Sequence, residues 1–355
     1  MDVERRKFSH PSSVLKQTAI RLEEPGRFAA IAESLSDPLP GEARVRVRSI
    51  GVCGTDIHAF HGRQPFFEYP RILGHELAAE IVSLNGTSDL KPGQLVAVEP
   101  YLNDPDSPAS KRGMTNCCES LRVLGVHCDG GMRPELNVPI TKLHPSTLKS
   151  TDQLALVEML GIGHHAVNRS RCETKDTALI LGAGPIGLSV LSFLRLKTRN
   201  LIVADLDESR LAFCREAFAV ERTIRISPGK AITADLLDAT GGTLPDLIFD
   251  ATGNAASMHT TFELIANGGR IVFVGLFQGD VTFRDPNFHR REITLLSSRN
   301  ATSTEFGEVV RSLETGAIET DPWITHRIGL SEVPDQFAKM IADKTLRKAV
   351  ISQDD

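Results

Sequence analysis

From about Lys16 to Ser150, apolar residues come in short runs broken by turn formers. "ARVRVRSIGV" alternates apolar and polar side chains, the period of a half-buried strand. "ELAAEIVSLNG" and "GQLVAVEP" predict further strands, punctuated by Gly and Pro. This is a mostly-β unit with loops long enough to carry a site. Residues 1–16 read as a short polar extension ahead of it. The texture changes near Thr151. "STDQLALVEMLGIGHHAVNRS" predicts one helix, with Ser150 or Thr151 as N-cap. "TALILGAGPIGLSVLSFLRL" predicts a buried strand, a glycine turn and a helix. "LIVADLD", "LIFDATG" and "RIVFVGLF" repeat the short apolar strand that ends in a loop. Strands alternating with helices imply an α/β unit, a doubly wound parallel sheet covered on both faces. We place it at 151–292. "ITLLSSRN" and "LRKAVISQ" are expected to return as strands to the first domain, which is then 1–150 completed by 293–355.

Composition narrows the class. A chain of 355 residues can build two sizeable cores. Its 41% hydrophobic and 24% charged residues are ordinary for a globular protein, and a net charge of −5 gives no reason to expect nucleic acid or membrane as partner. No apolar run reaches the ~18 residues that span a bilayer. "MDVERRKFSHPSSV" lacks the apolar core of a signal peptide. The six cysteines, Cys53, Cys117, Cys118, Cys128, Cys172 and Cys214, form no disulfide framework, so a reduced, cytoplasmic protein is expected.

"LGAGPIG" sets Gly182, Gly184 and Gly187 in the G-x-G-x-x-G pattern, between an apolar strand and a helix. The first glycine permits the tight turn. The second lets a pyrophosphate approach the backbone. The third allows helix and strand to pack closely, and the helix N-terminus favours the anion. Asp205, at the end of "LIVAD", lies at the distance of the acid that binds the ribose hydroxyls. Its charge would repel a 2′-phosphate, so NAD is expected over NADP. Asp207 is the second candidate for that role. Pro185, Ile186 and Arg210 complete the candidate cofactor contacts.

"GVCGTDIHAF" and "RILGHELAAE" supply Cys53, His75 and Glu76, and Glu158 follows in the helix after Thr151. Thiolate, imidazole and carboxylate are sound zinc ligands, and a catalytic zinc keeps one position open. Taken singly, Cys53 and His75 are as well explained as core residues.

With these stretches the chain resembles the zinc-dependent medium-chain alcohol and polyol dehydrogenases. "GVCGTDIH", "LGHE", "LGAGPIG" and "VADLDESR" occur in family order. "GTDIHAFHGRQPFFEYPRILGHE", "NCCESLRVLGVHCDGG", "FVGLFQGDVTFRDPNFHRRE" and "SSRNAT" are most similar to its sugar-acid branch, typified by the L-galactonate 5-dehydrogenases. The resemblance implies a GroES-like catalytic domain joined to a Rossmann domain. It implies that Cys53, His75 and Glu76 hold a catalytic zinc. Glu158 then falls where relatives carry a fourth ligand or a carboxylate that holds the zinc-bound water. Thr55 matches the hydroxyl that takes the substrate proton, and His58 the histidine that passes it toward solvent. Asp56 is placed to orient a ligand histidine.

Relatives also carry a lobe of four cysteines at x2, x2, x7 spacing. Aligned through "NCCE", those positions hold Asp104, Ser107, Ser110 and Cys118. Serine stays protonated near neutral pH, and one Asp and one Cys cannot close a tetrahedral zinc site. One zinc per chain is therefore expected, with turns and hydrogen bonds from "NDPDSP" replacing the second.

The expected reaction is hydride transfer from a secondary hydroxyl of a polyol or sugar acid to NAD. A sugar acid needs a cation for its carboxylate and polar partners for its hydroxyls. Arg299, Asn300, His127 and Gln64 are the candidates, and Phe66 and Phe67 either line the pocket or fill the core. Two rivals stay open: a dehydrogenase of a simple alcohol or sugar alcohol, and a non-catalytic NAD-binding protein descended from such an enzyme. The resemblance further implies a homodimer or homotetramer. We assign its contact to the apolar strand "RIVFVGLF", taken as the sheet edge.

Overall fold

The computed structural model describes residues 14–65 and 67–353. Residues 1–13 of the expected extension and Phe66 lie outside the described residues. The strand Leu15–Glu24 already takes in the last two residues assigned to that extension. It forms a hairpin with Arg27–Leu35.

The first unit is a seven-stranded, largely antiparallel sheet. Its centre is Glu42–Gly51, which pairs with Glu76–Asn85, Glu135–Pro139 and Lys348–Ser352. The alternation in "ARVRVR" is realised there: Val45 and Val47 are fully buried, while the intervening arginines pair with Glu135 and Glu80. Leu95–Val98 and Leu143–Ser146 extend one side of the sheet, and Ile324–Gly329 closes the other. "LRKAVISQ" therefore returns to the first unit as expected, pairing with Glu42–Gly51.

The second unit is a six-stranded sheet, parallel throughout. Its order is Arg222–Arg225, Leu201–Asp205, Ala178–Leu181, Leu247–Asp250, Arg270–Phe273, Thr294–Ser297. Strand order reverses on either side of Ala178–Leu181, the crevice where such sheets bind ligands. Two expectations fail here for one reason. "ITLLSSRN" does not return to the first sheet: Thr294–Ser297 pairs in parallel with Arg270–Phe273. "RIVFVGLF" is in consequence not an edge, because Arg270–Phe273 lies between Leu247–Asp250 and Thr294–Ser297. Its apolar character reflects burial on both sides. The edge is Thr294–Ser297, mostly exposed.

The helix expected after Ser150 is two helices, Thr151–Ala155 and Val157–Ser170. Ser150 caps the first by accepting the Gln153 N–H. Leu156 carries the break between them, which places Glu158 in the first turn of the second helix. Glu99 ties the first unit to the helix Ser303–Glu314. This fully buried carboxylate accepts from Lys142 and from Ser303 of the helix Ser303–Glu314.

Candidate active site

Cys53 immediately precedes the helix Gly54–Phe60, whose first turn carries Thr55 and Asp56 and whose last turn carries His58. The Asp56 carboxylate turns back and accepts the Cys53 N–H at 2.9 Å. His75 directly precedes the strand Glu76–Asn85, and Glu76 opens it, the first pairing being Gly51 with Glu76. Gly51 is required there, since a Cβ at that position would lie 2.0 Å from Glu76 Oε2.

This folding brings one ligand atom each of Cys53, His75 and Glu76 within 4.8 Å of one another. Glu158 is buried beside them and accepts a hydrogen bond from the Tyr101 hydroxyl. Glu76 Oε1 accepts from Lys348 Nζ at 2.7 Å, and Lys348 also donates to the Val52 carbonyl at 2.9 Å. Asp56 Oδ1 faces His75 Nδ1 at 3.6 Å.

The electrostatics are those of a site built for a cation. Burial lifts Glu158 to about 6, helped by Glu76 and opposed by His75, Tyr101 and Lys348. Burial alone would lower the His75 imidazole, but Asp56, Cys53 and Glu158 raise it well above its usual range. Asp56 is itself raised by burial. Glu158 Oε2 is buried with no hydrogen-bond partner, while Glu76 Oε2 stands 2.5 Å from Lys348 Nζ and Asp56 Oδ1 faces His75 Nδ1. Leaving such an atom unpaired costs about 1–3 kcal/mol, more when charged. A thiol, an imidazole and two carboxylates converging on one place, one of them with an orphaned oxygen, fit a divalent zinc ion.

In the second unit Gly184 caps the helix Pro185–Leu194. A Cβ on Gly187 would fall 1.8 Å from the Gly182 carbonyl oxygen, so only glycine allows helix and turn to meet. Pro185, Ile186 and Gly187 form the first turn; Pro185 has no N–H, and the N–H groups of Ile186 and Gly187 have no partner within the helix. Asp205 ends its strand with its carboxylate against this turn. One oxygen accepts the Ala183 N–H at 2.6 Å, and the other the Asp207 N–H at 2.8 Å. Arg210 stands 3.9 Å from that carboxylate. Asp207 instead caps the next helix by accepting from Ser209.

The substrate candidates fall into two groups. His127 is exposed, and partial desolvation, followed by the charges of Arg299 and Arg71, lowers its imidazole. Its Nδ1 accepts the Val123 N–H at 3.0 Å, which leaves Nε2–H as the outward donor. Asn300 follows Arg299 in a left-handed backbone conformation (φ 55°), and its Nδ2 is buried and unpartnered. Gln64, half-buried, lies apart on the loop after Gly62, and Phe67 packs edge-on against Tyr69.

Sequence reasoning missed Tyr101 and Lys348. Each had a faint signal. Tyr101 is one of two tyrosines and directly follows "GQLVAVEP", and Lys348 is a charge heading the apolar run "AVIS".

A family model described as the alcohol dehydrogenase GroES-like domain matches residues 39–148, and one described as zinc-binding dehydrogenase matches 185–315. The chain is 41% identical to L-galactonate-5-dehydrogenase of Escherichia coli K12, over 89% of this chain and 93% of that one. It is 31% identical to D-altritol 5-dehydrogenase of Agrobacterium fabrum, over 93% and 98%. Among solved structures it superposes on an E. coli CFT073 alcohol dehydrogenase (rspB) complexed with NADH. The TM-score is 0.87 at 27% identity, covering 95% of this chain and 99% of that one.

Proposed function

Given that this chain belongs to the zinc-binding alcohol dehydrogenase family, we propose that it oxidises a secondary hydroxyl of an L-galactonate-like sugar acid with NAD. The observation that carries this is the Cys53–His75–Glu76 cluster, half-buried at the thiol and buried at the other two, in a chain 41% identical to a named L-galactonate dehydrogenase.

Cys53, His75 and Glu76 would hold the zinc, with Glu158 as the alternative carboxylate. When bound, that ion lowers the pKa of a substrate hydroxyl as a Lewis acid. Gly182–Gly187 and Asp205 would hold NAD, which would supply the hydride acceptor. Asp56 faces His75 and fixes its ring orientation. Tyr101 holds one Glu158 oxygen and leaves the other open. Lys348 pairs with both Glu76 oxygens, 2.7 Å from Oε1 and 2.5 Å from Oε2, and holds that carboxylate in place. Thr55, half-buried in the first helical turn, takes the hydroxyl proton, and exposed His58 passes it to solvent. Arg299 and the His127 Nε2–H donate to the substrate carboxylate, with Asn300 and Gln64 toward its hydroxyls. Asp205 excludes a 2′-phosphate and sets the preference for NAD over NADP. We further infer a homodimer or homotetramer paired through the edge strand Thr294–Ser297, which bears exposed Leu295. We place it in the cytoplasm, a reducing compartment that suits its free thiols.

The test is a screen of aldonates, alditols and simple alcohols with NAD and NADP, following NADH or NADPH formation. L-galactonate with NAD should give the highest kcat/KM. A simple alcohol or alditol ranking first would replace the substrate. A zinc-loaded protein that turns over none of them would favour the non-catalytic reading.

A further inference from the structure

We propose that Asn116, His165 and Glu305 form a buried strut that positions the Arg299–Asn300 turn and thereby sets the affinity for an acidic substrate. The proposal rests on the reading of Arg299 as a carboxylate partner.

The turn runs from the edge strand Thr294–Ser297 into the helix Ser303–Glu314. It is held from both sides. Asn116, 3% exposed, comes from the short 3-10 turn Thr115–Cys117 of the former cysteine lobe. Its Nδ2 donates to the Arg299 carbonyl at 2.8 Å and lies 3.1 Å from His165 Nε2. A carbonyl only accepts, so the amide nitrogen must face it. The second amide hydrogen then goes to His165, whose Nε2 must be the acceptor. That puts the imidazole proton on Nδ1, which faces the two Glu305 oxygens at 3.0 and 2.9 Å. Glu305 in turn accepts from Thr302 N at 2.9 Å, Thr302 Oγ1 at 3.0 Å and Asn168 Nδ2 at 3.0 Å. Each donor in the chain meets an acceptor. The strut clamps the backbone at Arg299 and at Thr302, with left-handed Asn300 and fully buried Ala301 between.

An arginine that must hold a carboxylate loses side-chain and backbone freedom on binding. A turn fixed in advance lowers that cost without adding any contact to the ligand. Asn116, His165 and Glu305 are therefore positioning residues. Removing one strut bond of about 1–1.5 kcal/mol should appear as roughly a tenfold change in KM.

The test uses the zinc-loaded full chain with NAD and L-galactonate, comparing Asn116→Ala, Asn116→Asp, Arg299→Ala and the double variant Asn116→Ala/Arg299→Ala. Asn116→Ala should raise KM about tenfold and change kcat less than about twofold. Asn116→Asp should be at least as severe although it conserves shape, because a carboxylate cannot donate to the Arg299 carbonyl. The double variant should be no worse than Arg299→Ala alone. An Asn116→Asp milder than Asn116→Ala, or additive losses in the double variant, would mean that Asn116 only fills space. Amide hydrogen exchange needs no substrate. Exchange at 298–302 should accelerate in both Asn116 variants while the helix 303–314 keeps its protection, and unchanged exchange overturns the strut. If the unmodified enzyme oxidises no aldonate, the substrate reading fails, and the exchange result still decides whether the strut exists.

Discussion

Two loops of this molecule align with metal-binding segments of its relatives, and they treat their polar atoms in opposite ways. At the catalytic centre, Glu158 Oε2 is buried and unpartnered beside Cys53, His75 and Glu76. In the lobe around Asp104, Ser107, Ser110 and Cys118, the polar atoms are spent on each other. Ser107 Oγ donates to Ser110 Oγ at 3.0 Å and caps a short helix by accepting the Ser110 N–H at 3.2 Å. Asp104 accepts the Asp106 N–H at 2.9 Å, the Asx turn expected of "NDPDSP", and donates its own N–H to Cys118 Sγ at 3.3 Å. Lys142 and Asn103 extend the chain of bonds to Ser110. Folding without a metal is possible for the lobe because its demand is met internally. At the catalytic centre burial leaves Glu158 Oε2 without a partner next to three further ligand groups, and a cation would answer it.

The comparison breaks first at the catalytic centre. Cys53→Ala and His75→Ala should each reduce bound zinc from about one per chain to near none. They should lower kcat/KM by more than about a thousandfold, since several kcal/mol of transition-state stabilisation go with the ion. Cys118→Ala should keep one zinc. Metal analysis finding two in the unmodified protein, with one lost in Cys118→Ala, would refute the opposition between the loops.

A smaller effect lies where the lobe meets Glu305. Burial alone would raise that carboxyl, but hydrogen bonds from His165, Thr302 and Asn168 outweigh it and hold it at about 2. The folded value lies below that of an unfolded glutamate, so the stabilisation is present above about 4.5 and is lost as pH falls toward 2. It amounts to on the order of 3 kcal/mol. In acid denaturation, Glu305→Gln should be less stable than the parent near neutral pH, with the gap closing through that window. A gap independent of pH would remove the carboxylate from the account.

The smallest effect concerns Cys118. Burial would raise its thiol, but bonds from Ser107, Ser120 and Asp104 bring it to about 7. Its contribution to stability is therefore greatest above the range of a free thiol and fades as pH falls through about 7. Denaturant midpoints should rise slightly from neutral to mildly alkaline pH, and Cys118→Ser should flatten that rise. An identical slope in Cys118→Ser would show that the thiolate contributes nothing.

What was legible in the sequence was local. The alternation in "ARVRVR", the strand–glycine–helix order around "LGAGPIG" and the capping at Ser150 each depend on residues a few positions apart, and all three appear. Cys53, His75 and Glu76 were named from short motifs, and the loss of three thiols in the lobe was visible as composition. The tertiary structure decided the rest. "ITLLSSRN" and "RIVFVGLF" are apolar strands whichever sheet takes them, and the partner that covers an edge is set by topology. Tyr101 on Glu158, Lys348 on Glu76 across 272 residues, and Asn116 on Arg299 across 183 residues are pairings between distant segments. A polar side chain seeks whatever partner the fold places beside it. Which partner that is depends on three-dimensional packing, because a buried charge or amide is satisfied by proximity in space and carries no periodicity along the chain.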